Sequence, residues 1–166
     1  MTDYSLYALK EWSVTVDSLL AGQQILLLRE GGIHEQSRQF HLEHTEFFLL
    51  STHVHQTKHA LFHSSQPRFD SLKGHKCPTV NPDTFAEVHH CYPLTSLDTL
   101  RMLDDLHTLD WTTVGQRFFY RNRPGLNLLL LRIYRLQASH QIRNVEPYDG
   151  WVSWVELEKP PSLAQG

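Results

Sequence analysis

At 166 residues, with 40% hydrophobic and 20% charged residues, the chain has the size and composition of one globular domain, which excludes a fibrous or largely disordered protein. Its longest apolar run, Leu126 to Leu136, is broken by Asn127 and Arg132 and falls short of the roughly 20 residues a membrane span requires, so no membrane partner is expected. The net charge of -3 is unevenly spread: residues 111–145 hold six arginines and no Asp or Glu, leaving nine basic against 18 acidic residues elsewhere, an imbalance that points to an anionic partner.

The first residues carry acidic side chains and no basic segment followed by an apolar stretch, the pattern of neither a secretory signal nor an anchor. Cys77 and Cys91 form no CxxC and no zinc-spaced pair, which suits a reducing, cytoplasmic setting. Neither thiol has an activating context, so both read as incidental rather than nucleophilic.

In chain order, "LYALKEWSVTVDSLLAG" places Leu9, Trp12, Val16 and Leu19 on one face of a helix, with Gly22 at its end. "QQILLLRE" reads as a buried strand entering the Gly31-Gly32 turn, and "RQFHLEH" and "EFFLLS" as further strands. Thr52 is positioned to cap a helix from His53 to about His63, in which His55, His59 and His63 share a side. Residues 64–84, with three prolines and little periodicity, read as a long loop.

"FAEVHHCYPL" alternates as a strand with Ala86, Val88, His90 and Tyr92 on one side. "TSLDTLRMLDDLH" has a capping box from Thr95 to Asp98 and a stripe of Leu97, Leu100, Leu103 and Leu106, the pattern of a core helix. "TTVGQRFFYRN" reads as another helix before the Pro124-Gly125 turn, and "LNLLLLRIYRL" and "GWVSWVELE" as closing strands. This order argues for a single α+β domain over residues 1–158, with three or four helices on a mixed or barrel-like sheet and a flexible tail at 159–166.

The segments "LKEW" (Leu9 to Trp12), "ILLLREGGIHE" (Ile25 to Glu35), "FHLEH" (Phe40 to His44), "FFLLSTHVHQ" (Phe47 to Gln56), "RFFYR" (Arg117 to Arg121), "LLLLRIYRL" (Leu128 to Leu136) and "YDGWVSWVEL" (Tyr148 to Leu157) together resemble a bacterial domain-of-unknown-function family. Where that family has Lys after the arginine of the glycine turn and Pro before the threonine of the histidine segment, this chain has Glu30 and Ser51. Such domains are sometimes found beside restriction-type endonuclease domains, so the resemblance implies a link to restriction or defence. The helix ending in glycine before a strand ending in Arg29 also resembles small RNA-binding barrels of the pseudouridine-synthase-and-archaeosine (PUA) type.

Three chemistries compete for the polar residues. Five of the 12 histidines fall in residues 44–63, and His55 and His59 are spaced to meet one metal ion, yet no HExxH glutamate accompanies them and the Lys58 ammonium repels a dication, which also fits a solvated helix face. Glu35, Glu43 and Lys58 are candidate catalytic residues of a nuclease or hydrolase that would use a divalent metal cofactor, against solvated strand faces. Whether the protein is an enzyme stays open at this level. The glycine turn lacks the GxGxxG and GK[ST] patterns of nucleotide loops.

The basic segment is the most informative. Arg117 and Arg121 lie one helical turn apart, Arg123 follows, and Phe118, Phe119 and Tyr120 are interleaved, so guanidinium groups can reach phosphates while Tyr120 stacks on a base. The competing expectation is that these arginines pair with carboxylates and the aromatics fill the core. The expected function is an accessory nucleic-acid-binding domain using Arg117, Tyr120, Arg121 and Arg123. A metal-dependent nuclease and a dimerising or protein-binding scaffold using Trp12, Trp151 and Trp154 are the alternatives.

Overall fold

The computed structural model describes residues 7–30, 42, 44–53, 56–72, 79–80, 82–137, 141–143, 153–158 and 161. Its strands are β1 (Tyr7–Trp12), β2 (Leu26–Glu30), β3 (Glu46–Thr52), β4 (Thr79–Val80), β5 (Thr84–Leu94), β6 (Leu126–Arg135), β7 (Ile142–Arg143) and β8 (Trp154–Glu156). Four helices accompany them: α1 (Ser13–Leu20), α2 (Gln66–Ser71), α3 (Leu97–Met102) and α4 (Trp111–Phe118). Six strands form one mixed sheet in the order β2-β6-β5-β3-β1-β8, in which only β1 and β3 run parallel, while β4 and β7 make a separate pair. The expected α+β class holds, and the described strands do not close into a barrel.

The start of the chain corrects the expected helix. Tyr7–Trp12 is a strand between β3 and β8, with every residue from Ala8 to Glu11 buried, and the helix begins only at Ser13. A strand covered on both faces shows no alternation, so its residues borrow the period of the helix that follows. The helix end is as expected: Gly22 adopts φ +70°, its N–H bonds Leu19 O at 3.1 Å and Gln23 N–H bonds Ser18 O at 3.0 Å, a paired closure that a left-handed residue permits.

One sheet face carries Leu9, Leu27, Phe47, Leu49, Ala86, Leu129 and Leu131 against Val16 and Leu19 of α1. The opposite face is divided. Leu26, Leu28, Leu126 and Leu128 pack beneath Leu100 of α3 and Val114 and Phe118 of α4, whereas Ala8, Phe48, Leu50 and Phe85 pack against Ile142 of β7 and Leu157. Truncating a fully buried side chain such as Phe47 or Leu129 to alanine in such a core costs about 2–5 kcal/mol.

Two further expectations are corrected. In β5 the register to β6 slips between Val88 and His90, a bulge that turns Cys91 toward the α1 face and moves His90 and Tyr92 opposite Leu130 and Leu128 on the other face. The anticipated histidine helix is replaced by two 3-10 turns, Lys58–Ala60 and His63–Ser65, because the chain between them pairs backbone groups with the entry to α4: Phe62 N–H to Thr108 O at 2.8 Å and Asp110 N–H to Ala60 O at 3.0 Å. Within residues 64–84 lies the short helix α2. Ser96, one residue past the expected Thr95, caps α3.

Candidate nucleic-acid interface

Helix α4 starts at Asp110, whose Oδ1 accepts the Thr113 N–H at 2.8 Å, and points its C-terminal turn at the edge strand β2. The arginine of that turn, Arg117, faces inward. Leu131 N–H donates to Ile25 O, which fixes Leu27 and Arg29 as the β2 residues bonded to β6 and turns the backbone of Leu28 to the free edge. Arg117 Nη1 donates to that Leu28 carbonyl at 3.2 Å, and its guanidinium lies 4.8 Å from the centroid of the Trp12 ring. A side chain thus occupies the edge that a foreign strand would otherwise pair with.

The same place joins the β2 edge of the curled sheet to β1, the strand next to its other edge. Strands β6, β5 and β3 separate β2 from β1 in the hydrogen-bonded order, yet Arg29 Nη1 reaches Glu11 Oε2 at 2.9 Å, so the sheet must coil strongly to bring them together. Glu11 is 4% exposed, and its other oxygen accepts the Trp12 N–H at 2.9 Å. Burial lowers the pKa of Arg117, an effect opposed by the field of Glu11 and reinforced by that of Arg29. Beside this cluster the first turn of α1 is closed from a distance: Gln56 Oε1 accepts the Val14 N–H at 3.2 Å, Gln56 Nε2 donates to Ser13 Oγ at 3.0 Å, and His53 Nδ1 lies 3.3 Å from the same hydroxyl.

The residues after Phe118 face outward. Phe119 and Tyr120 are 51% and 48% exposed, and the turn Tyr120–Asn122 carries Arg121 and Asn122 at φ +55° and +54°. A bulky side chain in that left-handed region is uncommon and carries local strain. The turn is closed by the Gly125 N–H on Phe118 O at 2.9 Å, which sends the chain into β6. The Arg121 guanidinium sits 5.1 Å from the Tyr120 ring centroid, Phe119 meets the buried Phe118 ring edge to face at 4.9 Å, and Arg123 is exposed beside them. Tyr120, Arg121 and Arg123 therefore come together on one exposed knuckle, and Arg117 stands apart, beneath it.

The other basic residues of the acid-free segment divide as their strand dictates. Arg132 lies opposite Glu87, and its pKa is raised by hydrogen bonding to Tyr134 and by the charges of Tyr134 and Glu87; the Tyr134 hydroxyl donates to Glu87 Oε2 at 3.0 Å. Arg135 takes the opposite face, beyond Ile133.

Of the metal and catalytic candidates, Glu35, Glu43 and His55 lie outside the described residues. Lys58 pairs with Asp70, and His59 is exposed on the 3-10 turn next to it. Among the described residues no group of three or more His, Cys, Asp or Glu side chains is placed to hold a metal ion. Cys91 is half-buried, and burial pushes its thiol pKa up, the opposite of activation. Of the three tryptophans considered for an interface, Trp12 lies under Arg117, Trp154 packs edge to face on Phe47 at 4.9 Å, and Trp151 is outside the described residues. Among the described residues, no helix is long and apolar enough to cross a membrane.

Sequence reasoning overlooked Glu11, Trp12 and Arg29 as a unit, and with them the inward role of Arg117. The available signal was chemical: Glu11 is a carboxylate in a segment otherwise suited to burial, and "LKEW", "ILLLREGGIHE" and "RFFYR" each supply one or two members of the cluster.

No curated protein matches the sequence. Among solved structures, the crystal structure of ASCH from Zymomonas mobilis matches with a TM-score of 0.51 at 13% identity, over 92% of this chain and 87% of that one. A serine-to-alanine mutant of the same protein matches with a TM-score of 0.52 at 11% identity, over 96% of this chain and 92% of that one. At such identities the likeness is one of fold. Apart from Tyr7, the segments that build the sheet, the cluster under α4 and the knuckle fall within residues 8–166, the span matched by the model of the family described as a domain of unknown function, DUF1802, and the chain belongs to that family.

Proposed function

We propose that the chain is a cytoplasmic, accessory nucleic-acid-binding domain of a restriction or defence system, with Arg121 and Arg123 on phosphates, Tyr120 stacked on a base, and Arg117 holding the turn that presents them. The observation that carries this reading is the knuckle itself: two half-exposed aromatic rings, Phe119 and Tyr120, followed by Arg121 and Arg123 at a strained turn. The sequence supports it as well, since residues 111–145 hold six arginines and no Asp or Glu, so the knuckle has no carboxylate close to it along the chain. So does the resemblance to PUA-type RNA-binding domains, since α1 is followed by Gly22 and β2 carries Arg29, although the described strands form an open sheet.

The test is the affinity of the purified protein for labelled single- and double-stranded DNA and RNA across a salt series. Binding that weakens as salt rises, and that Arg121→Glu with Arg123→Glu abolishes in a folded protein, is expected. No binding to any of the four at low salt would overturn the reading.

A further inference from the structure

Resting on that reading, we infer that the ligand is a single strand presenting at least two adjacent unstacked bases, and that Phe119 is a second stacking residue beside Tyr120. Rings on successive residues are 51% and 48% exposed, an arrangement that leaves large apolar area in water unless something covers it. Neither ring is loose. Phe119 is braced edge to face against Phe118, which is only 3% exposed, and Tyr120 is held by the Arg121 guanidinium over its ring. Rings so held lose little freedom on binding, which favours their use as platforms.

A base inside a duplex has both faces covered by its neighbours, so an aromatic platform selects bases that are out of the stack. The charge distribution agrees. Duplex binding draws on many phosphate contacts, but Arg29, Lys58, Arg68 and Arg101 each pair with a carboxylate, on Glu11, Asp70, Asp17 and Asp104, while Arg132 and Arg135 stand well along β6 from its knuckle end on opposite faces and Arg143 is on β7. Arg117 is turned to Leu28 and Trp12, and the whole chain carries -3. Arg121, exposed beside Tyr120, suits a phosphate flanking the stacked bases, a footprint of a few nucleotides rather than a duplex face.

The experiment compares the full chain with fluorescently labelled ten-nucleotide oligo-U, oligo-dT and a hairpin duplex of equal phosphate number whose loop is a base-free linker, for the native protein and for Phe119→Ala, Tyr120→Ala and Tyr134→Ala. Tyr134 is 41% exposed but lies on β6 outside the knuckle, so it controls for loss of any surface ring. Single strands should bind about tenfold or more tighter than the hairpin, Phe119→Ala and Tyr120→Ala should each weaken binding by about tenfold, and Tyr134→Ala should leave it unchanged. The slope of log K against log salt should be shallow, about -0.7 to -1.4 for one or two phosphates on a single strand. Comparable oligo-U and oligo-dT affinities fit stacking alone, and a preference for oligo-U adds recognition of the ribose hydroxyl to it. A hairpin bound as tightly as the single strands, or native affinity in Phe119→Ala, overturns the inference while nucleic-acid binding stands. Failure of all three probes to bind overturns both.

Discussion

Arg117 and Arg121 lie one helical turn apart, yet the structure gives them opposite environments. Arg117 sits in the last turn of α4 over the β2 edge, where the nearest acceptor is a strand carbonyl and the nearest ring is Trp12. Arg121 lies past the end of the helix, where the chain has turned through two left-handed residues and carries its side chain out beside Tyr120. The same residue type thus closes the fold in one place and is presented to solvent in the other. The lesson is that the position of the helix terminus, rather than the arginine spacing, sorts structural from recognition cations.

This contrast can be broken or sharpened by substitution. The largest effect is expected at Glu11→Ala, which leaves Arg29 and the nearby Arg117 without their buried carboxylate; the loss should be about 3–5 kcal/mol in urea unfolding. A loss below about 1 kcal/mol would show that the cluster contributes little to closing the sheet. Arg117→Ala removes a charge-assisted hydrogen bond to Leu28 and a cation over Trp12, and should cost about 2 kcal/mol in the same measurement.

On the knuckle the pattern inverts. Arg121→Ala should change stability by no more than about 0.5 kcal/mol while reducing the salt slope of single-strand binding by about 0.7, as one lost phosphate contact requires. If Arg121→Ala destabilises the protein as much as Arg117→Ala does, the division between the two regions collapses.

The smallest effect concerns pH. His107 is 7% exposed, its Nδ1 accepts the Leu109 N–H at 3.2 Å, and its Nε2 has no partner among the described residues, so burial lowers its pKa below the ordinary histidine value. The unfolded chain therefore takes up this proton first as pH falls. The stabilisation from the neutral imidazole is complete above about pH 6.5 and is lost progressively on acidification toward the lower folded-state pKa. Urea midpoints measured from about pH 7.5 down to about pH 5 should fall, and His107→Gln should flatten that descent.

Much of the architecture was legible because local pattern and environment agree. The strands at Leu26, Glu46, Thr84 and Leu126 are apolar runs bounded by turn residues, and α3 and α4 keep a helical stripe behind a capping residue. Tyr7–Trp12 was illegible because burial on both faces erases the period that marks a strand. His90 and Tyr92 were assigned to the wrong face because one extra residue in β5 reverses the alternation, and a bulge leaves no trace in composition. The histidine segment was misread because backbone pairing to residues 108 and 110 overrode a local helical pattern.

The sequence by itself determined the α+β class, the family, and the concentration of arginines and aromatic rings between Trp111 and Val145, since these depend on residue type and order. Only the tertiary structure decided which of those arginines meets solvent and that Glu11, Trp12, Arg29 and Arg117 converge. That convergence depends on how far the sheet coils, a sum of small rotations over the four strand-to-strand steps from β2 to β1, and no local pattern records such a sum.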